Sequence, residues 1–307
     1  MDPVTHTLVG AVLANGVFRR RLGNASIPIL AVASNLPDID ALVMLSGRPE
    51  ALLLRRTFGH SLCLLPLWIL LMAWICRRLC PRLGFGACLA LTAVGASLHL
   101  VFDMVNSFGV VLLWPFSLWR PEWAIIYIVD PLLTGLLAAP FLVCAPARLR
   151  SVLPRLCKGS LVAVACYMTL CAASRASADR VLARQVAELP ARPDFVYLFP
   201  EPLGAHRWRG VIRSGDTYRL YLISSLGGTC DLKGLIRSAI DDPRVIAAGQ
   251  SELGLRLNQF FKAPVWRVHG AEAESPVTVE DLRFASLVLN RDAIFVFTLP
   301  AEPALSR

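Results

Sequence analysis

The stretch GFGACLALTAVGASLHLVFDMVNS, residues 84–107, decides the fold. From Phe85 to Val105 it carries one formal charge, Asp103. A helix rises about 1.5 Å per residue, so a run of about 20 apolar residues crosses the hydrocarbon core of a bilayer. The run therefore predicts a membrane helix. It also predicts more, because His99 and Asp103 stand four apart and share one helix face. An imidazole and a carboxylate so placed can hold one metal ion together, or can simply bond to each other at a helix end. Asn106 and Ser107 follow at the end of the helix, where they can support such a site or contact a substrate.

Similar runs lie on either side. Residues 4–18 form a short one. Residues 27–45 are interrupted by Pro37, Asp38 and Asp40. Residues 57–76 and 123–145 are long, the latter containing Asp130 and Pro131, and 159–174 reach spanning length if slightly extended. The expectation is an all-α polytopic membrane domain of about six segments over residues 1–175. Composition agrees: 55% of the 307 residues are hydrophobic and 17% charged, with a mean hydropathy of +0.56. A soluble domain carries about 25% charge, and a disordered chain lacks this apolar content.

The net charge of +9 is concentrated in the apolar half, where 15 Lys and Arg face 7 Asp and Glu. Arg19–Arg21, then Arg77, Arg78 and Arg82, then Arg148, Arg150, Arg155 and Lys158 follow alternate segments, as cytoplasmic loops do. The loop with Arg48, Arg55 and Arg56 runs against the pattern. No basic stripe with interleaved aromatics is present, so nucleic acid is not an expected partner; the lipid bilayer is. Arg19–Arg21 follow the first apolar run instead of preceding it, unlike a secretory signal. Eight of nine cysteines lie in the apolar half without a CxxC pair, which reads as helix packing and not as a disulfide framework.

Residues 176–307 read as a small soluble α+β domain, outside the cytoplasm if six segments cross. Strands are expected at 195–198, 208–212, 217–223, 265–269, 287–289 and 293–299. Residues 176–189 suit a short helix or linker, and 232–241 and 243–261 read as partly helical. His206 and His269 sit in ordinary strand and loop sequence.

The informative residues are ionisable groups in apolar surroundings, which cost several kcal/mol to bury unless paired or bound. They are His6, Asp38, Asp40, His60, His99, Asp103 and Asp130. With six crossings all fall toward the outer membrane face. His6, Asp38, Asp40, His60, His99 and Asp103 are the candidate metal ligands. Mixed His and Asp donors suit zinc, with manganese or iron as alternatives. The catalytic candidates are Asp38, Asp40 and His60, with an aspartate free of metal as general base. Arg55, Arg56, Ser61, Asn106 and Ser107 are the candidate substrate contacts, and Arg120 is a further cation for an anion.

Taken in order, Thr5-His6, Leu-Pro-Asp38-Ile-Asp40, Gly-His60-Ser61, His99-x-x-x-Asp103-x-x-Asn106-Ser107-x-Gly109 and Trp114-Pro115-Phe116-Ser117 resemble the YdjM-type family of predicted inner-membrane, metal-dependent hydrolases. The resemblance covers most of residues 1–135. Trp208-Arg-Gly-Val and Asp281-Leu-Arg-Phe284 resemble the C-terminal extension of longer members. Members often carry Arg directly before the Gly-x-x-His-Ser stretch; here Arg55 and Arg56 stand in a shifted register. More distantly, the order of Asp, His and HxxxD resembles one metal site of zinc-dependent phospholipase C and single-strand nucleases. The further His and Glu ligands of their other, clustered sites are not evident after Asp103, so one ion is expected, or two with contributions from Asp38, Asp40, His6 and Asp130.

The family resemblance implies a multi-pass protein of a bacterial-type inner membrane. The polar ligand set at one membrane face, with Arg55, Arg56 and Arg120 near it, points to hydrolysis of a lipid, a lipid-linked phosphate or another amphiphilic ester. Two alternatives use the same residues: an ion or proton-coupled transporter built on the His/Asp cluster, and a non-catalytic assembly protein whose outer domain binds a partner.

Overall fold

The computed structural model describes residues 1–270, 272 and 275–300. The chain divides into two compact units, Met1–Ser46 with Leu54–Ala172, and Gly47–Leu53 with Ala173–Arg307.

The first unit is helical. Helix α1 (Pro3–Leu13) starts where Asp2 caps the backbone N–H of Thr5 and proline occupies the first turn. It continues through a π-helical turn, Ala14–Phe18, into α2 (Arg19–Leu22). Helix α3 (Ser26–Ala33) gives way to a 3-10 stretch, Leu36–Ser46, bent by 50° from it. The break, at Ser34 and Asn35, lies just ahead of Pro37, which lacks an N–H to continue the ladder. Helices α4 (Leu65–Leu79) and α5 (Phe85–Val105) follow, then α6 (Pro131–Val143) and α7 (Leu153–Ala187).

Among the described residues two helical stretches are long and apolar enough to cross a membrane, Phe85–Val105 and Ala147–Ala187. The bent pair α3 and Leu36–Ser46 makes a third if it counts as one span. Helices α4 and α6 have 15 and 13 residues, short of a full crossing. The run 57–76 is thus only partly helical, because its first eight residues form turns that carry His60. The run 123–145 is likewise helical only from Pro131, and Asp130 is its N-cap. The polarity change near residue 175 does not end α7: the Ala, Leu and Arg beyond it are strong helix formers.

Helix α3 packs on both α1 and α5, and α4 on α5. Small residues allow the close approach: a Cβ on Gly95 would stand 2.6 Å from that of Ala33. Leu30, Ala33, Met72, Ala73, Cys88 and Leu91 fill the space between these helices. The loop after α5 turns back and hydrogen-bonds the turns before α4, through Val111 N–H to Arg56 O and Leu62 N–H to Leu112 O. Two non-helical segments thereby brace each other around His60.

The second unit holds an antiparallel meander, β1 (Phe195–Pro200), β2 (Arg207–Ser214), β3 (Thr217–Ser224) and β4 (Thr229–Arg237). Helices α8 (Pro243–Gln250) and α9 (Glu252–Phe260) lead to a three-stranded antiparallel sheet, β5 (Pro264–Val268), β6 (Val277–Asp281) and β7 (Val296–Leu299). Residues 232–237 are strand and not helix, since β4 pairs along β3 from Thr229 to Arg237 across a bulge. Residues 287–289 are a turn: the N–H groups of Leu287 and Val288 bind the buried Glu201 carboxylate instead of a strand partner. The two C-terminal motifs meet here. Arg209 pairs with Glu201 at 2.9 Å and donates to the carbonyls of Arg283 and Ala285, while Arg283 pairs with Asp281 at 3.1 Å. All four side chains are buried, so this network ties the two sheets together.

Candidate metal centre

Three elements of the first unit deliver the site. The 3-10 stretch brings Asp38 and Asp40, the turns before α4 bring His60, and the last two turns of α5 bring His99 and Asp103. One donor atom from each of Asp38, His60, His99 and Asp103 lies within 4.8 Å of every other. His60, His99 and Asp103 are buried, and Asp38 stands at the edge.

The imidazole orientations are decisive. His60 Nδ1 lies 2.8 Å from Asp40 Oδ2, and His99 Nδ1 lies 2.7 Å from the Ser34 carbonyl. A carboxylate and a carbonyl only accept, so each Nδ1 carries its proton, and each ring in its neutral form turns an Nε2 lone pair inward. The two Nε2 atoms are 3.0 Å apart. Asp103 Oδ2, another acceptor, lies 3.2 Å from the first and 3.4 Å from the second. A shared proton would satisfy one pair of these atoms. A single cation satisfies them all, with each histidine already oriented by a second partner as metal-bound histidines usually are. The donor set therefore fits a divalent ion.

Asp40 is fully buried and both its oxygens are engaged: Oδ2 also accepts from Thr57 N–H at 2.9 Å, and Oδ1 faces Arg55 at 3.2 Å. It orients His60 and lies outside the four-donor group. His6 also lies outside it. Its ring stacks on that of His99, centroids 3.7 Å apart, and its Nε2 reaches Asp103 Oδ1 at 3.2 Å. The Met1 amino group donates to the same oxygen. Gly59 is required where His60 enters, because a Cβ there would stand 2.0 Å from the Pro37 carbonyl oxygen.

A model of the YdjM inner membrane protein family matches residues 1–178, more than half of the chain. The chain belongs to the YdjM family. Neither a curated protein nor a solved structure matches it. The family description places this YdjM chain in the inner membrane, in keeping with its two candidate spans.

The remaining candidates of this YdjM chain divide sharply. Arg56 is buried, holds Asp103 Oδ2 at 2.8 Å and Asn106 Oδ1 at 2.9 Å, and adopts a left-handed backbone, φ 55°. Its charge is thereby committed to the site's own carboxylate. Arg55 bridges Asp38 and Asp40 at 3.2 Å each and keeps 20% of its side chain exposed. Ser61 is fully buried; its hydroxyl donates to the Trp114 carbonyl at 2.6 Å and accepts from Cys63 N–H. It fastens the loop. Asn106 is buried, and its Nδ2 has no acceptor among the described residues. Ser107 is buried beside it. Arg120 donates to the Arg55 carbonyl.

Asp130 belongs elsewhere: its Oδ1 caps α6 through Leu132 and Leu133 N–H, and its Oδ2 accepts from Tyr167 Oη at 2.7 Å. The roles of the Ser34 carbonyl and of Arg56 as the clamp on Asp103 leave no mark in the sequence. Every residue has a carbonyl, and an arginine pair in a basic loop does not name its partner.

Proposed function

We propose that this YdjM family member is an integral-membrane, metal-dependent hydrolase acting on a lipid, a lipid-linked phosphate or another amphiphilic ester. The observation that carries the reading is the convergence of the His60 and His99 Nε2 lone pairs with Asp103 Oδ2 at 3.0 to 3.4 Å. A divalent ion bound there supplies a Lewis acid and brings the pKa of water toward neutrality. Two imidazoles and two carboxylates, without a thiolate, favour zinc, with manganese or iron next.

The chain's own residues divide the remaining work. Asp40 keeps the Nδ1 proton on His60, and the Ser34 carbonyl does the same for His99. Arg56 holds Asp103 in place. Asp38, 11% exposed where Asp40 is sealed, completes the donor set on the side that water can reach. Arg55, at the exposed edge, meets an anionic group of the substrate. Asn106 Nδ2 is the donor left over for a substrate oxygen.

The proposed orientation puts the second unit on the outer side of the inner membrane. The alternation of the three basic clusters supports that orientation.

The test is turnover. Purified protein should hydrolyse a member of a broad lipid and phosphoester panel, lose the activity on chelation, regain it on adding zinc, and fail as His60→Ala. No turnover across the panel by metal-loaded protein would overturn the reading.

A further inference from the structure

A groove of about 490 Å³ runs between α3, the 3-10 stretch and α4. Its walls are apolar: Leu36 and Ile39 at one end, then Trp68, Leu71, Ile75 and Leu79 along α4. The α4 residues recur at three- and four-residue spacing, which draws one stripe along the helix. From Trp68 to Leu79 that stripe extends about 17 Å, close to half of the ~30 Å hydrocarbon core, the depth of one leaflet. Spread over that length, the volume leaves a cross-section of roughly 30 Å², enough for a hydrocarbon chain and well short of a helix 10–12 Å across. The side is open, with Leu71, Ile75 and Leu79 each more than 40% exposed.

One end of the groove is built from the supports of the metal centre. Ile39 sits between Asp38 and Asp40, and its side chain lies against Gly59, the residue before His60. Trp68 Nε1 donates to the Phe58 carbonyl at 3.2 Å, in the same turn. A chain lying in the groove would therefore end where the site begins.

We infer that the groove between α3 and α4 binds one hydrocarbon chain of a membrane lipid and so presents the lipid's headgroup linkage to the His60–His99–Asp103 centre. The inference rests on the proposed hydrolase reading for the fate of that linkage, but chain binding is measured without turnover. It assigns substrate preference to chain length first: lipids with long chains bind, and water-soluble headgroup analogues do not.

Photolabelling of detergent-purified, full-length protein with a trace of diazirine-bearing C16 phosphatidic acid tests this. Label should saturate and map to peptides within 28–39 and 68–80. Unlabelled C16 phosphatidic acid should compete, whereas glycerol 3-phosphate at the same concentration should not. Leu71→Trp with Ile75→Trp fills the groove and should cut labelling at least tenfold with metal content unchanged. Label spread evenly over other exposed apolar positions, such as Leu142 and Val162, would overturn the inference. Equal competition by glycerol 3-phosphate would do the same. If the double variant loses its metal as well, the wild-type competition decides. Saturable, chain-dependent labelling of a protein that turns nothing over would sink the hydrolase reading and leave the groove standing.

Discussion

Asp40→Asn separates an orienting carboxylate from a ligand. Asp40 Oδ2 accepts from His60 Nδ1 at 2.8 Å and from Thr57 N–H at 2.9 Å, while Oδ1 faces Arg55 at 3.2 Å. Asparagine keeps the shape but loses the charge. If its oxygen faces His60, the amide NH2 points at the Arg55 guanidinium, donor against donor. If it flips, the His60 Nδ1–H loses its acceptor. Either way the imidazole is held less firmly and is a weaker base. Loss of such a partner costs 10- to 100-fold in metal affinity, or about 1.4 to 2.7 kcal/mol. Zinc titration in detergent against a chromophoric chelator reads this directly, with His99→Ala as the ligand-loss control. The expected order is wild type, then Asp40→Asn weaker by 10- to 100-fold, then His99→Ala without measurable site binding. An affinity equal to wild type would refute the orienting role. A complete loss equal to that of His99→Ala would make Asp40 a ligand in its own right.

Three further outcomes are expected. Gly59→Ala forces a Cβ to 2.0 Å from a backbone oxygen. It should cost about 1–3 kcal/mol and weaken zinc binding, read by thermal unfolding with and without zinc; an unchanged Tm would show the turn to be looser than drawn. Asp130→Asn should keep full metal content on elemental analysis, because that carboxylate caps α6 and binds Tyr167; loss of metal would return it to the site. Arg209→Ala leaves Glu201 buried without its cation. Breaking such a pair costs about 3–5 kcal/mol, so the second unit should melt early by circular dichroism of its strands, and a shift of a few tenths of a kcal/mol would refute the network's role.

What was legible in the sequence was what depends on local spacing. His99 and Asp103 share a helix face because they are four apart, and Phe85–Val105 is a single helix because nothing in it breaks one. Pro37 marked the bend, and β1, β2 and β3 followed from β-branched and aromatic runs between turn residues. The hidden features depend on partners far along the chain. Ser61 bonds a carbonyl 53 residues away, which no local pattern discloses. Arg55 and Arg56 are neighbours in sequence, yet one is sealed against Asp103 and the other stands at the exposed edge. The segment 232–241 was misleading for a related reason: Leu232, Leu235 and Ile236 are spaced as on a helix face, and only pairing with β3 makes 232–237 a strand. Asp130 sits in an apolar run that reads as one segment, whereas the helix starts only at Pro131 and the aspartate is its cap.

The centre itself shows the same division. Six of its residues could be named from chemistry, but not which belong to the four-donor group and which support a member of it. That distinction lies in which nitrogen of each imidazole faces inward, and it is set by Asp40 on one side and a backbone carbonyl on the other.

The most direct measurement is elemental analysis of detergent-purified protein, wild type beside His99→Ala. The convergence of two Nε2 lone pairs and a carboxylate oxygen predicts close to one zinc, manganese or iron per wild-type chain, and none in the variant. A wild-type protein that is metal-free as purified, and stays empty after reconstitution with each of those ions, would contradict it.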